Sequence, residues 1–595
     1  MGKGTGESDR GTAARQGWFE ARRSQLGKGG QAVKNSIGRL VFVGVAVLLQ
    51  IAWILILFIR LNAYSSVISL CTSVLSVVVI IVLYDRQENA SFRMAWMVLV
   101  AIAPIFGLTL FALVEGSSAL SSQRRHKVVV DRALSEVPAP DDSRAVRGLR
   151  GLDRAYANQF AYLRDVGRSP VYEVGDGDVT FYAEATDALE AQKEDLRRAR
   201  SSIFMEYHAV EDAEAFAGIH EILVERAAAG VDVRMLYDDM GSFGFINRDF
   251  IERMEADGIR CRAFNPMVPL INVFMDNRDH RKITVIDGAV SYTGGFNLAD
   301  EYFNITHPYG YWKDTGIRVT GEAAWSFTRM FLQLWHTSDR LKGPRATRRA
   351  RSEEILRADC ERYLGLEGPA APAPAAGAAG SPDAAGPRSA AADEQEPAPG
   401  AGDVREPRRD APRHGFVQPY GVDPFSPVRL GEDAYLNAIK SARDCVWFVT
   451  PYLIITDDML RELCLAAARG VDVRICTPGI PDKRLVYSIT RSYYRPLASA
   501  GVRVFEYTPG FNHSKQVLVD GRVAIVGTIN LDFRSLYHHF ENGVLMCDVP
   551  ALRDIRADFD QVMSVSREVT EESLRPARMP YRLMMGLLRL FVPLL

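Results

Sequence analysis

The chain has 595 residues, 47% of them apolar, and a formal net charge of −2 at neutral pH. That length exceeds what one hydrophobic core usually supports, so more than one domain is expected. The balanced charge argues against nucleic-acid binding by an overall basic chain. Seven scattered cysteines without a C-x-x-C argue against a disulfide framework or a structural zinc site, and fit reduced thiols facing the cytosol.

A basic tail (1–36) opens the chain, followed by three apolar stretches at 37–59, 67–84 and 94–114. Each is about 18–23 residues, enough to cross the hydrocarbon core of a bilayer. Residues 37–115 are therefore expected to be a membrane anchor of two to three transmembrane helices. The first stretch starts too late and runs too long for a cleavable signal peptide. Arg22, Arg23, Lys28, Lys34 and Arg39 precede the anchor, and Arg124, Arg125, Lys127 and Arg132 follow it. Both basic segments favour the cytoplasm, which three full crossings cannot satisfy. Pro104 and Gly107 make the third stretch the candidate for a kinked, re-entrant or partial span.

After a connector (116–170) the sequence reads as α/β with an internal duplication. "AAAGVDVRMLYDD" (227–239) parallels "AAARGVDVRICTP" (466–478), and "DGIRCRAF" (257–264) parallels "AGVRVFEY" (500–507). In each copy a helix ends at a Gly and a short β-branched strand follows. The order helix, strand, helix, strand, motif occurs twice, predicting two halves, 171–345 and 416–570, each a mixed sheet flanked by helices. Between them, 346–415 holds a helix end and an Ala/Pro/Gly-rich run read as a disordered linker. The last segment, 571–595, is amphipathic, and suits either a membrane interface or docking on the protein's own core.

The duplication centres on "DHRKITVIDGAVSYTGGFN" (279–297) and "NHSKQVLVDGRVAIVGTIN" (512–530). Both follow H-x-K-x4-D-x6-G-[GT]-x-N, a pattern expected by chance on the order of once in millions of positions. Each motif opens as a strand, so His280 and Lys282, like His513 and Lys515, share a face. Imidazole beside ammonium suits an anionic substrate: the lysine fixes a phosphoryl oxygen while the histidine attacks or donates a proton. The glycine turns bring Asn297 and Asn530 back towards the site, where an amide can donate to another phosphoryl oxygen. Asp287 and Asp520 complete the motifs and read as strand-end hydrogen-bonding residues rather than proton carriers. No metal or other cofactor is expected, because the ten histidines show no H-x3-H or H-E-x-x-H spacing. Asp238–Asp239 reads as a solvated loop, and His538–His539 as a structural pair.

These motifs resemble the phospholipase D superfamily, over roughly residues 171–569. "TGGFNLADEY" (293–302), "WKDTGIRVTG" (312–321) and "GTINLDFRSLYHHFENG" (527–543) are most similar to its bacterial cardiolipin synthases. The resemblance implies two facing halves with one shared site, a catalytic set of His280, Lys282, Asp287, His513, Lys515 and Asp520, and a phosphohistidine intermediate. It implies His280 as nucleophile and His513 as acid and base. Asn297 and Asn530 would bind substrate, Glu541 would orient His513, and Asp314 would be the counterpart for His280. Glu206 and residues 450–453 are implied to lie around the pocket. The expected reaction joins two phosphatidylglycerols into cardiolipin and glycerol, at a bacterial cell membrane with the catalytic domain in the cytoplasm. Rival readings are a phospholipase or headgroup-exchange enzyme, a metal-independent nuclease, and a membrane scaffold with a dead site. Both motifs being complete argues against the last.

Overall fold

A computed structural model describes residues 66–86, 89–115, 118–266, 277–339, 345–365, 413–570 and 579–594, with isolated residues elsewhere. Most of the first apolar stretch, and the Ala/Pro/Gly-rich run up to residue 412, lie outside the described residues.

Two sheets carry the α/β region. Seven strands form the first, in the order Val179–Tyr182, Gly316–Thr320, Val290–Gly294, Lys282–Ile286, Ser202–Tyr207, Asp232–Asp238, Arg260–Phe264. The second has ten. Its path runs Tyr172–Gly175, Arg413–Val422, His539–Cys547, Val523–Gly527, Gln516–Val519, Cys445–Val449, Asp472–Pro478, Arg503–Tyr507, Ser566–Val569, and Arg278–Asp279 pairs to one side of His539–Cys547. The centres match: each motif strand lies antiparallel between its hairpin partner and the strand that begins a parallel run. Central strands such as "SIFMEY" (Ser202–Tyr207) are buried along their whole length, which is why they read as nearly unbroken apolar runs. The repeated helix-to-strand turns rest on Gly230 and Gly470, whose φ values of +88° and +90° suit glycine. The expected duplicated α/β architecture is present.

Packing divides into three cores. Two lie mainly within one half each, with Phe511 of the second half joining the first half's core, while the third lies between the sheets. There Phe204, Leu236 and Ile283 of the first meet Trp447, Leu518 and Val526 of the second, around the helix Ala324–Thr337. The expected start of the first half differs: Tyr172–Gly175 pairs antiparallel with Arg413–Val422 and so extends the second half's sheet. The first half's own sheet starts at Val179.

Among the described residues no helix is long and apolar enough to cross a membrane. The second apolar stretch falls in the helix Ser66–Asp85. The third is two helices, Ala90–Ile102 and Pro104–Glu115, folded back on each other. The Trp96 and Phe111 rings lie 5.4 Å apart, whereas a straight helix would separate them by about 22 Å. A Cβ on Gly107 would lie 2.7 Å from Val100 Cα, so glycine permits this close turn after Pro104. The pair docks on the second half: the Phe92 ring lies tilted against His538 at 5.3 Å, and Asn89 Nδ2 donates to Tyr537 Oη at 3.0 Å. The C-terminal helix Met579–Phe591 buries Met585, leaves Leu583, Met584 and Leu587 exposed, and sets Arg589 over the Tyr493 ring.

Candidate active site

Two short parallel ladders cross between the halves and build the site. In one, Arg278–Asp279 runs beside His539–Phe540, and His280 N donates to Phe540 O at 2.9 Å. The next residues in register are His280 and Glu541. In the other, Gly510–Asn512 runs beside Tyr311–Lys313, and His513 N donates to Lys313 O at 2.7 Å. The next residues there are His513 and Asp314. Each motif imidazole therefore meets a carboxylate from the opposite half. Nδ1 of His280 lies 2.9 Å from Glu541 Oε2, and Nδ1 of His513 lies 2.7 Å from Asp314 Oδ2. This corrects the expected pairing, which gave Glu541 to His513 and Asp314 to His280. The crossing follows from strand register, which sets neighbours in space rather than along the chain.

A hydrogen bond from Nδ1 to a buried carboxylate fixes the ring and its tautomer, leaving Nε2 for chemistry. The carboxylates are themselves fixed. Thr528 Oγ1 donates to Glu541 Oε2 and accepts from Asn542 N at 3.0 Å. At the equivalent position Gly295 leaves room for Asp314, since a Cβ would lie 1.9 Å from its Oδ1. The variable residue of G-[GT] in the motif thus answers to the carboxylate opposite.

Lys282 Nζ donates to His280 O at 2.8 Å, and Lys515 Nζ lies 2.7 and 2.9 Å from the two ring nitrogens of His513. Asn297 Oδ1 accepts from Ala209 N and its Nδ2 donates to Tyr302 Oη, while Asn530 is buried with its Oδ1 unbonded. Asp287 and Asp520, placed in the catalytic set by the resemblance but read from the sequence as strand-end residues, hold backbone N–H groups. Asp287 accepts from the backbone N–H groups of Arg200, Ser201 and Ser202. Asp520 does the same for Arg443, Asp444 and Cys445, and both have left-handed φ values, +53° and +51°. They cap strand entries.

Electrostatics favour an anionic guest. Burial, then Lys282, holds the His280 imidazolium form well below its usual range, and burial, then Lys515, does the same for His513. Both rings are neutral near pH 7. Burial brings Lys282 down to about 8 and Lys515 to about 7, while it pushes Asp314 up to about 7 and Glu541 well above the carboxylate range. A phosphodiester between the lysines would favour both ammonium forms.

Several neighbours were not assigned from sequence. His208 donates from Nδ1 to Asp279 O at 2.7 Å, and its ring lies 4.8 Å from that of His280. His539, expected to be structural, has its ring 5.4 Å from His280 and both nitrogens unbonded. Around His513 stand Trp312 and Tyr302, each 5.4 Å away, and Phe511 at 5.8 Å. Glu206 is fully buried beside Asp279 and 3.8 Å from Arg281, behind the motif strand. Thr450 is a local brace, donating to Tyr452 O and accepting from Leu531 N. Asp238 accepts from Met240, Gly241 and Asp279 N–H groups and so closes a turn. Donor atoms of His280, His539 and Glu541 lie within 4.8 Å of one another and could hold an ion. Lys282 acts electrostatically on all three, and Glu541 is already bonded to His280 and Thr528, so this donor set suits a hydrogen-bonded cluster better than a dication.

A duplicated α/β fold with one His–Lys pair in each half is the arrangement that the resemblance to the phospholipase D superfamily implies, and here each imidazole is set against a carboxylate of the other half. The family model described as "Cardiolipin synthase, PLD-like domain" matches residues 193–335 and 435–563. A cardiolipin synthase of Geobacillus kaustophilus is 30% identical over 544 residues, covering 90% of this chain and 95% of its own. One from Halalkalibacterium halodurans is 29% identical over 522 residues, covering 87% and 91%. The fold is also that of a phosphatidylserine synthase from Haemophilus influenzae, with TM-score 0.51 and 15% identity over 74% of this chain and 100% of that one. The chain belongs to the cardiolipin synthase family and is a phosphatidyltransferase.

Proposed function

We propose that this enzyme joins two phosphatidylglycerols through a phosphohistidine intermediate, releasing glycerol, at the surface of a bacterial membrane with its catalytic halves in the cytoplasm. One imidazole attacks phosphorus, forming an N–P bond as the bond to the glycerol oxygen breaks. The other, sharing a proton with its carboxyl partner so that Nε2 carries one, gives that proton to the glycerol oxygen. A hydroxyl of the second phosphatidylglycerol then returns a proton to this second imidazole, while its oxygen displaces the first. Lys282 and Lys515 neutralise the phosphoryl oxygens, assisted by the Asn297 and Asn530 amides.

The observation that carries this reading is the pair of crossed carboxylate–imidazole contacts, His280–Glu541 and His513–Asp314. An oriented neutral imidazole for the attack, and a second that shares a proton with its carboxyl partner for the transfer, are what one phosphorus centre requires. Membrane association is supported by the apolar helix Ser66–Asp85, whose Leu70, Val74, Val77 and Ile81 are all more than half exposed. A two-chain substrate then need not be extracted into water. The folded-back pair Ala90–Ile102 and Pro104–Glu115 suits a re-entrant element, which would let both basic segments face the cytoplasm.

The test is lipid analysis of purified full-length protein with phosphatidylglycerol in mixed micelles, beside His280→Ala and His513→Ala. Cardiolipin and glycerol from the wild type, lost in both variants, are expected. Phosphatidic acid as the main product would mark a hydrolase instead.

A further inference from the structure

We propose that a cavity behind the first motif strand, lined by Arg168, Arg281 and Arg329, is a second phosphate-binding site, which takes the phosphate group of an anionic lipid or of a small soluble phosphate ester. The proposal stands apart from the reaction above: neither the motif histidines nor the motif lysines line this cavity.

The cavity, of about 230 Å³, lies just past the end of the helix Arg154–Asp165, between the helix Ala324–Thr337 and the strand Arg413–Val422. Its charge is lopsided. Asp131 and Asp423 line it, but the buried Lys127 Nζ bonds to both, and Gln333 Nε2 donates to the other oxygen of Asp131 at 2.7 Å. The two carboxylates are therefore engaged, and the three guanidinium groups remain. Arg281 is tied back to the fold, with Nε donating to Glu541 O at 3.3 Å and Nη1 to Met330 O at 3.1 Å. Glu206, 3.8 Å from it, offers little counter-charge, because burial drives that carboxyl towards its neutral form. The guanidinium groups of Arg168 and Arg329 make no hydrogen bond or ion pair with any described residue. Burial holds the half-buried Arg329 below its ordinary range; Asp131 opposes the fall and Arg168 deepens it. Like charges around one cavity repel, and a cation withdrawn from water without a pair is costly. An anion between them relieves both.

Arg168 carries a second sign. It has a φ of +52°, a left-handed position past a helix end where glycine is usual. An arginine there is strained, which fits a residue kept for its guanidinium rather than for its backbone. Forked donors converging from three segments suit a tetrahedral anion with several oxygens. Ser426 Oγ, which accepts from Val428 N at 3.1 Å, still has its O–H to give. The volume is below the roughly 300–1,000 Å³ of pockets that enclose a drug-sized ligand, so a headgroup fits and acyl chains do not. An apolar rim of Val166, Val428 and Leu430 leaves such chains a way out. That rim adjoins the docked apolar pair. Arg429, between Val428 and Leu430, lies 5.1 Å over the ring of Tyr537, the tyrosine that Asn89 bonds.

The experiment follows hydrogen–deuterium exchange by mass spectrometry on full-length His513→Ala protein, in which the lipid stays intact, in neutral detergent micelles. The probes are inorganic phosphate and, separately, phosphatidylglycerol added to the micelles. Exchange should slow in two places, the motif peptides (279–297 and 512–530) and the cavity peptides (163–169 and 423–430). With ligand at ten times its Kd the slowing is about 10-fold. Adding Arg168→Ala or Arg329→Gln should raise the ligand concentration needed at the cavity peptides by about 10-fold or more, and leave the motif peptides as before. Their retained protection shows that the variant is folded. Arg329→Lys, which keeps the charge without the fork, should restore part of the loss. Cavity protection by inorganic phosphate would assign the site to soluble phosphates as well as lipids, and protection by phosphatidylglycerol alone would assign it to a lipid headgroup. Protection confined to the motif peptides with both probes, or cavity protection that survives Arg168→Ala combined with Arg329→Gln, overturns the proposal.

Discussion

Replacing Glu541 by Gln tests the crossed pairing most directly. Glu541 Oε2 accepts from Nδ1 of His280 at 2.9 Å and from Thr528, while Oε1, also 2.9 Å from that nitrogen, has no hydrogen bond of its own. A Gln side chain in this place should put its oxygen where Oε2 stands and its NH2 in the Oε1 position. The tautomer of His280 is then preserved, and what is lost is the charge assistance that develops as the carboxyl group and the ring exchange a proton. Hydrogen bonds to charged groups contribute about 1.5–3 kcal/mol, which corresponds to roughly 10- to 150-fold in rate. That is well short of the roughly 10⁴-fold loss that follows when a carboxamide imposes the wrong tautomer. Adding Thr528→Val removes the anchor that selects the amide orientation, and should carry the double variant towards the larger loss. The assay is cardiolipin formation in mixed micelles, with p-nitrophenol release from phosphatidyl-p-nitrophenol beside it. Glu541→Gln should share the leaving-group dependence of His280→Ala, and Asp314→Asn that of His513→Ala. If Glu541→Gln instead follows His513→Ala, the reasoning from strand register is refuted.

Other expectations concern the lysines, one glycine and the motif aspartates. Lys515 and Lys282, down to about 7 and 8 in the free enzyme, grip phosphate only as ammonium ions. Asp314, Lys282, Glu541 and Asp532 set the charge around Lys515, with Asp314 opposing the fall. kcat/KM should therefore fall as pH rises through 7–8, whereas the limb in kcat should lie higher, because bound phosphodiester favours the ammonium forms; a kcat/KM flat to pH 9 would contradict this. Gly295→Ala, whose Cβ would lie 1.9 Å from Asp314 Oδ1, should lower kcat by about 10²-fold or more while the melting temperature changes little; activity within a few-fold would show that Asp314 has room to move. Asp287→Asn and Asp520→Asn should each cost about 1–3 kcal/mol of stability in denaturant titrations, with the specific activity of the folded fraction kept within a few-fold. Abolished turnover in a normally stable protein would return them to the chemistry.

The duplication, the sheet class and the lysine–histidine pairs were legible because each repeats a local pattern at fixed spacing. Strand periodicity placed His280 near Lys282, although the strand itself begins only at Lys282. What was not legible depends on pairing between distant segments. Glu541 is closer in sequence to His513 than to His280, yet a two-residue parallel ladder hands it to His280. The same holds for Tyr172–Gly175, whose alternation reads as a strand but does not name its sheet. His539 reads as structural because "HHFENG" shows no ligand spacing, and only its unbonded nitrogens beside His280 reveal it. For Thr528 a signal existed: the position that is Gly in one motif and Thr in the other marks where the two carboxylates differ in length.

The ladder between Arg278–Asp279 and His539–Phe540 also fixes when the enzyme comes alive. Chains are made from the N-terminus, and N-terminal units begin folding first. His280 and Lys282 emerge early, but the carboxylate that orients His280 sits at residue 541 of 595, and the second imidazole at 513. A ribosome-bound chain ending anywhere before these residues carries half a reaction centre, with an imidazole whose tautomer nothing holds. It follows that a truncated or stalled product is inert towards phospholipid. The order of synthesis acts as a safety catch, released only when the last sheet strands are threaded between the earlier ones.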